Sequence, residues 1–299
     1  MRTFAFVVLL AVSYVSGLNI LTSCGAKKKV IAITFDDGPA IEHDISQKIL
    51  SKLQQHGIPA TFYSSPAAMG DDQKEMQGRC DMVRKLAAAG MQIGIHNWKH
   101  EKVSKSMPKF KLGDNIKKVA AWLQGCGAKK LTQYRPPYGV LSDGQAQYIN
   151  QQGYTVAMWN VEPNDSEKKK SGKQIFEAGW KDFQESVGVG NSAIWSLHDG
   201  MFTEKSINDF LPLIVKKYRD ELGYEFVTMD QCYKKCGKDQ CDDLGGPKPV
   251  IWSLWLLIRS LFEKRDQVAQ DTVKSAGCPF LAGRKQSSAI LDLPNPHTL

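Results

Sequence analysis

The run Val30-Ile-Ala-Ile-Thr-Phe-Asp-Asp-Gly-Pro39 decides how the chain is read. Residues 30–35 are apolar or β-branched and lack the polar alternation of a half-solvated strand. That is the pattern of a strand buried on both faces of a parallel sheet. Asp36 and Asp37 arrive together where the strand ends, and Gly38-Pro39 turns the chain away. Outward from this run, short β-branched stretches alternate with longer amphipathic ones. Residues 41–55 carry Ile45, Ile49, Leu50 and Leu53 at helical spacing and stop at Gly57. The phrase helix, glycine, strand then recurs, with Gly90 before 91–95, Gly153 before 154–158 and Gly223 before 224–228. Further strands are predicted over 60–64, 131–134 and 192–197, and further helices near 113–125, 141–152, 173–186 and 204–221. About seven strands with helices between them make an α/β fold with a parallel sheet. The alternation allows a closed (β/α) barrel or an open, doubly wound sheet. In both, ligands gather at the carboxyl ends of the strands.

The 299 residues accommodate one barrel-type domain of roughly 200–250 residues plus appendages. With 42% hydrophobic and 23% charged residues, the composition excludes wholesale disorder, collagen-like repeats and a multi-span membrane protein. The net charge of +8 is spread along the chain and is too mild to imply a nucleic-acid partner. Arg2, the apolar run 4–15 and the small pair Ser16-Gly17 have the layout of a secretory signal peptide over 1–17. That run is short for a bilayer span. It places the mature chain, from Leu18, in a secreted, oxidising setting, where the seven cysteines read as disulfides with one left over. Cys24 precedes the first predicted strand and Cys232 follows the last, a pair placed to close the domain. Cys80 with Cys126, and Cys236 with Cys241, are pairings that sequence alone does not fix; Cys278 is the odd one. A structural zinc site on Cys232, Cys236 and Cys241 is the competing reading, disfavoured by secretion.

The unusual polar residues fall at strand ends. Asp36-Asp37 follows the first strand; His96-Asn-Trp-Lys-His100 follows the strand ending at Ile95; Arg135-Pro-Pro-Tyr-Gly139 follows Tyr134. Glu162-Pro-Asn-Asp165 follows the strand near 158, and His198-Asp199 follows Leu197. Three of the six histidines therefore sit on one rim. Spacing i, i+4 puts His96 and His100 on one side if they share a helical turn. With a carboxylate from another segment they make a three-ligand metal set that leaves a position open for water. Alone, such a pair reads equally well as surface histidines. Asp36 and Asp37, pointing to opposite sides of an extended strand end, would give one ligand and one base. Arg135 is placed to pair with the aspartate that does not ligate. His198, with Asp165 orienting it, is placed to protonate a leaving group. Each feature has a bland alternative as a polar turn or solvated side chain; five at strand ends favour chemistry.

Thr34-Phe-Asp-Asp-Gly-Pro39, His96…His100, Arg135-Pro-Pro-Tyr-Gly139, Asp165 and Leu197-His-Asp199, in that order, resemble the five motifs of the polysaccharide deacetylases, carbohydrate esterase family four. The cysteines, the leader and Phe226-Val-Thr-Met-Asp-Gln-Cys232 look most like the secreted chitin deacetylases. The resemblance covers about residues 29–232 and implies a distorted (β/α) barrel of seven to eight parallel strands. It divides the chain into the signal peptide 1–17, an N-terminal arm 18–28, a catalytic domain 29–240 and an irregular C-terminal tail 241–299. It implies a divalent metal, zinc or else cobalt, on Asp37, His96 and His100, with Asp36 as base, Arg135 as its tether, His198 as acid, Asp165 as partner of the acid and the Tyr138 N–H at the oxyanion. The substrate implied is chitin or a related N-acetylated polysaccharide, and the location extracellular, at or near a cell wall.

Four positions depart from the family pattern. Asn97 stands where Ser or Thr is usual, Glu162 replaces the first aspartate of the fourth motif, Ser166 the usual tryptophan and Ser196 the usual leucine. The last two normally shape the apolar pocket for the acetyl methyl, so a carbohydrate-binding pseudoenzyme is a second reading. Deacetylation of xylan or peptidoglycan is a third. Asn164-Asp165-Ser166 is formally a glycosylation sequon, expected to stay unmodified so close to the site. In the tail, residues 250–262 form an apolar stretch of about 13 residues, short of a span. It reads as an interfacial membrane helix, as packing against the barrel, or as part of a gene-model artefact over 245–299.

Overall fold

The computed structural model describes residues 18–166 and 170–236. The leader 1–17, the tail 241–299 and the cysteines Cys241 and Cys278 lie outside the described residues. The elements follow as β1 (Ile20–Leu21), β2 (Val30–Asp36), α1 (Ile45–His56), β3 (Thr61–Ser64), α2 (Gln73–Ala88), β4 (Gln92–Ile95), α3 (Lys109–Gly125) and β5 (Gln133–Tyr134). Then come α4 (Asp143–Gln151), β6 (Thr155–Ala157), α5 (Gly172–Asp182), β7 (Ala193–His198), α6 (Glu204–Val215), β8 (Glu225–Val227) and α7 (Met229–Cys236). All seven predicted strands are present, and every pairing is parallel.

The sheet runs β1-β6-β5-β4-β3-β2-β7, with β8 on β2. The two arrangements left open by the alternation are separated here. No ladder between named strands joins β6 to β7, but Val161 just after β6 bridges Trp195 of β7, with Ser196 N–H donating to the Val161 carbonyl. A distorted barrel results, held shut on that side by a single bridge. β8 pairs with the first half of β2 and β3 with its second half, so β2 is flanked along its whole length. Every residue of β2 is buried, as its unbroken apolar run requires.

Local signals set most of the helix boundaries. Asp72 caps α2 by accepting from the backbone N–H groups of Lys74 and Glu75, and Ser142, Ser171 and Thr203 form capping boxes for α4, α5 and α6. Gly57 ends α1 in the left-handed region at φ 64°. Three expectations shift. The helix predicted from 41 begins as an α-helix only at Ile45, because His43 and Asp44 are left-handed. The helices near 173–186 and 204–221 each close with a π-helical turn, Phe183–Val187 and Lys216–Glu221. The arm 18–28 is partly ordered as β1, which pairs with Val156 and Ala157.

The main apolar core lies between the strands and the helices. A second, smaller cluster fills the ring itself: Leu21, Ala32, Tyr63, Ala157, Ile194, Val227 and Met229. The amino end of the barrel is closed by α7, tied to the chain before β2 through the Cys24–Cys232 disulfide. Cys80–Cys126 joins α2 to the end of α3. Cys236 is also disulfide-bonded, and Cys241, its predicted partner, is outside the described residues. Above the apolar cluster the interior turns polar, with Thr34, Arg135 and Ser196 buried beneath Asp36. No helix among the described residues is long and apolar enough to cross a membrane.

Candidate active site

The carboxyl ends of β2, β4, β5 and β7, and the segment after β6, deliver the singled-out residues to one rim. Asp36 is the last residue of β2, and Asp37 follows in the left-handed region at φ 74°. This corrects the sequence expectation: Asp37 has left the extended strand, so strand alternation does not set the two carboxylates, and both approach His96 Nε2, Asp36 Oδ2 at 3.9 Å and Asp37 Oδ1 at 3.4 Å. The kink is held from below. Asp199, fully buried, accepts from Ala40 N–H and Ser46 Oγ, and a Cβ on Gly38 would lie 2.0 Å from its carboxylate. Only glycine passes there.

His96 and His100 also reach one side by a route other than the predicted helical turn. The segment 96–100 is a bend, with Asn97 at φ 58° and His100 at φ 57°. Asn97 supplies its support: its Oδ1 accepts from Tyr134 Oη at 3.0 Å and its Nδ2 donates to the Glu101 carbonyl at 2.8 Å. An amide thus fills both roles where the family favours a hydroxyl. The two imidazole rings lie 5.0 Å apart.

Asp37, His96 and His100 offer ligand atoms within 4.8 Å of one another. Asp37 Oδ1 is 3.4 Å from His96 Nε2 and 3.3 Å from His100 Nε2. His96 Nδ1 lies 2.7 Å from the Arg135 carbonyl, which can only accept, so the proton sits on Nδ1 and the Nε2 lone pair faces Asp37. Asp37 Oδ1 is buried without a hydrogen-bond partner. A buried, orphaned carboxylate oxygen facing two imidazole nitrogens fits a divalent cation. Burial works to raise the Asp37 carboxyl, but the adjacent His96 and, more weakly, His198 and His100 outweigh it and hold it at about 2. Burial lowers His100, against the pull of Asp37, which favours the neutral ligand form.

Asp36 is 2% exposed. Its Oδ1 accepts from Arg135 at 2.8 Å, and its Oδ2 faces Ser196 Oγ at 3.5 Å and His96 Nε2 at 3.9 Å. Arg135 is fully buried and also donates to Thr34 Oγ1 at 2.6 Å and to the Met158 carbonyl at 3.1 Å. Its guanidinium lies 4.1 Å from the Tyr63 ring centroid and 5.4 Å from that of Trp159. Across the rim, Asp165 grips His198 twice, accepting from its backbone N–H and from Nδ1, each at 2.8 Å. Burial alone would lower the His198 imidazole. The Asp165 hydrogen bond and the charges of Asp165, Asp36 and Asp37 push it up to about 10. Glu162, in the fourth-motif loop, is pushed up to about 7 by burial and by Asp165 and Asp36, against His198. Tyr138 is left-handed at φ 61°, exposed, and its ring lies 4.7 Å from that of His100.

The structure therefore brings together every residue singled out from the sequence. It adds three that were not: Thr34, which links Arg135 to the Trp195 carbonyl; Tyr63, stacked on Arg135; and Lys170, which donates to the carbonyls of Pro163 and Asn164 in the loop ahead of Asp165. Thr34 had a signal, since it lies two residues before Asp36 on the same strand face. Tyr63 and Lys170 had none.

The family model for polysaccharide deacetylases matches residues 24–157, which carry Asp36, Asp37, His96, His100 and Arg135. Over that part the chain is similar to the polysaccharide deacetylases. Among curated members it is 28% identical over 208 residues to the peptidoglycan-N-acetylglucosamine deacetylase PgdA of Listeria monocytogenes, covering 69% of this chain and 39% of PgdA. The chain thus spans about two fifths of that relative's length. It is 25% identical over 148 residues to a chitooligosaccharide deacetylase of Sinorhizobium fredii, covering 50% of this chain and 65% of that one. The chitin deacetylase of Colletotrichum lindemuthianum shares the fold at a TM-score of 0.60 and 19% identity, covering 72% of this chain and 89% of that chain. Relative to the family pattern, this chain has an exposed Ser166 and a buried Ser196.

Proposed function

We propose that this chain is a secreted, metal-dependent hydrolase that removes N-acetyl groups from N-acetylglucosamine polymers, chitin foremost, leaving acetate and free amines. The observation that carries the reading is the convergence of Asp37 Oδ1 with His96 Nε2 and His100 Nε2, 3.3–3.4 Å away, between an Arg135-bound Asp36 and an Asp165-bound His198. One carboxylate and two imidazoles suit zinc, with cobalt as the alternative ion. Held by Asp37, His96 and His100, a divalent ion would supply Lewis-acid chemistry, lowering the pKa of a coordinated water to about 7 and polarising a carbonyl oxygen.

The chain's own groups do the rest. Asp36 has one oxygen committed to Arg135, so Oδ2 is the oxygen that accepts the proton of the attacking water. The water oxygen adds to the acetamide carbon, and the Tyr138 backbone N–H donates to the oxyanion that forms. His198 keeps its Nδ1 proton on Asp165 and gives its Nε2 proton to the nitrogen as the C–N bond breaks. Water is consumed, and acetate and an amine leave. The two disulfides among the described residues support an oxidising, extracellular setting.

A second substrate, peptidoglycan, is favoured by the 28% identity to PgdA. Acetate release from chitin oligomers, peptidoglycan and xylan, measured side by side with Asp36→Asn as control, tests the proposal. Release from chitin by the native protein alone supports it. Faster release from peptidoglycan or xylan reassigns the polymer, and equal traces from both proteins support a carbohydrate-binding pseudoenzyme.

A further inference from the structure

Resting on that reading of the metal site, we infer that Ser64 and Ser65, at the carboxyl end of β3, are positioning residues: their hydroxyls hold the two ligand-bearing loops together and set how tightly the ion is held. The sheet order calls for such a brace. β3 lies between β2 and β4, so the strand that delivers Asp37 and the strand that delivers His96 are not neighbours. Adjacent strands sit about 4.8 Å apart, which separates these two by roughly 9–10 Å. Yet Asp37 Oδ1 lies 3.4 Å from His96 Nε2. Loops and side chains from both sides therefore converge over the end of β3.

That end grips each of them. Ser64 Oγ donates to the Gly38 carbonyl at 2.7 Å, one residue beyond Asp37, and Ser65 Oγ donates to the carbonyl of His96 itself. The backbone adds two more ties: His96 N–H donates to the Ser64 carbonyl at 3.0 Å, and Ala67 N–H to the Trp98 carbonyl at 2.8 Å. The two hydroxyl bonds stand beside the points where the chain leaves regular structure. Asp37, just before Gly38, is at φ 74°, and Asn97, just after His96, is at φ 58°. A non-glycine residue in that region is strained and stays there only where its surroundings hold it. Ser64 and Ser65 are 2% and 1% exposed, so solvent is not at hand to replace a lost hydroxyl. A hydroxyl bonded to a backbone carbonyl leaves the charge of Asp37 and the tautomer of His96 as they are. What it fixes is where the ligands stand.

The test reads metal affinity directly. Apparent zinc Kd, from chelator competition, and the visible absorption of bound cobalt(II), whose bands follow ligand geometry, are measured for the native protein, Ser64→Ala, Ser65→Ala and Thr61→Val. Thr61 is the control, a buried hydroxyl at the opposite, amino end of the same strand, bonded to Gln92 and to the Met229 N–H. Each serine variant should raise the zinc Kd about ten- to hundredfold, the usual effect of losing a group that orients a metal ligand, and shift the cobalt bands. Thr61→Val should lower the melting temperature and leave both unchanged. Ser65→Ala carries the test by itself if Ser64→Ala fails to fold, and the reverse. Serine variants with native Kd and native cobalt bands, or a Thr61→Val protein whose Kd rises as far as theirs, overturn the inference while leaving the metal site intact. A native protein that binds no zinc removes both.

Discussion

Asp165→Asn tests the donor side of the site. Asp165 accepts from two donors on one residue, the backbone N–H and Nδ1–H of His198, each at 2.8 Å. An asparagine has one accepting oxygen, so whichever way the amide turns, one donor faces an NH2 group. That mismatch costs about 1–3 kcal/mol. The larger effect is on protonation. With Asp165 the imidazole sits at about 10, whereas its ordinary value is 6.5 and burial alone drives it lower. At pH 8.5 the native imidazole is then nearly all protonated, and the variant, left with only Asp36 and Asp37 to offset burial, loses much of the acid form. The coupling also bears on folding. Because the folded pKa is raised, its stabilisation is complete below the unfolded value of 6.5 and is lost as pH rises through about 10. The assay is kcat for acetate release against pH, with an NMR titration of the imidazole in metal-free protein. Asp165→Asn should move the alkaline limb down and cut kcat at pH 8.5 by about ten- to hundredfold, as loss of a general acid does. An unshifted alkaline limb, with the variant imidazole still titrating above pH 9, refutes the role given to Asp165.

Asp36→Asn removes the proton acceptor and leaves the buried Arg135 without its counter-charge; activity should fall by about 10²–10⁴ and stability by about 3–5 kcal/mol, read from acetate release and denaturant melts. Gly38→Ala puts a methyl 2.0 Å from the buried Asp199 carboxylate and should cost about 1–3 kcal/mol or more, measured by thermal unfolding; a variant as stable as the native protein would show that the loop has room to move. Replacing Cys24 and Cys232 by serine opens a closure of 208 residues, and the chain-entropy model gives about 5 kcal/mol for its loss, checked by denaturant midpoint against the native protein. Chelation should abolish acetate release and lower the melting temperature, both restored by zinc, because an ion bound only by the folded state adds about 4 kcal/mol at a thousandfold excess over Kd.

The strand runs and glycine stops were legible because a buried parallel strand and a left-handed helix end each leave a composition mark, as in β2 and at Gly57. Barrel closure was not, since it rests on the single bridge Val161–Trp195, which has no periodicity. β1 is two residues long and equally silent. At the site, residue types and strand-end positions were readable, but the geometry bringing them together was not. Asp37, Asn97, His100 and Tyr138 all take positive φ, and local spacing rules assume regular helix or strand. Buried supports such as Tyr63 under Arg135 depend on contacts between strands distant in sequence.

Metal stoichiometry across two adjacent aspartates probes the centre of the account most directly. Native protein and Asp36→Asn should each hold one zinc per chain, with only the native protein releasing acetate, whereas Asp37→Ala should lose both the ion and the activity. An Asp37→Ala protein that still binds zinc with native affinity, or an Asp36→Asn protein that loses it, would contradict the division of labour between these two carboxylates.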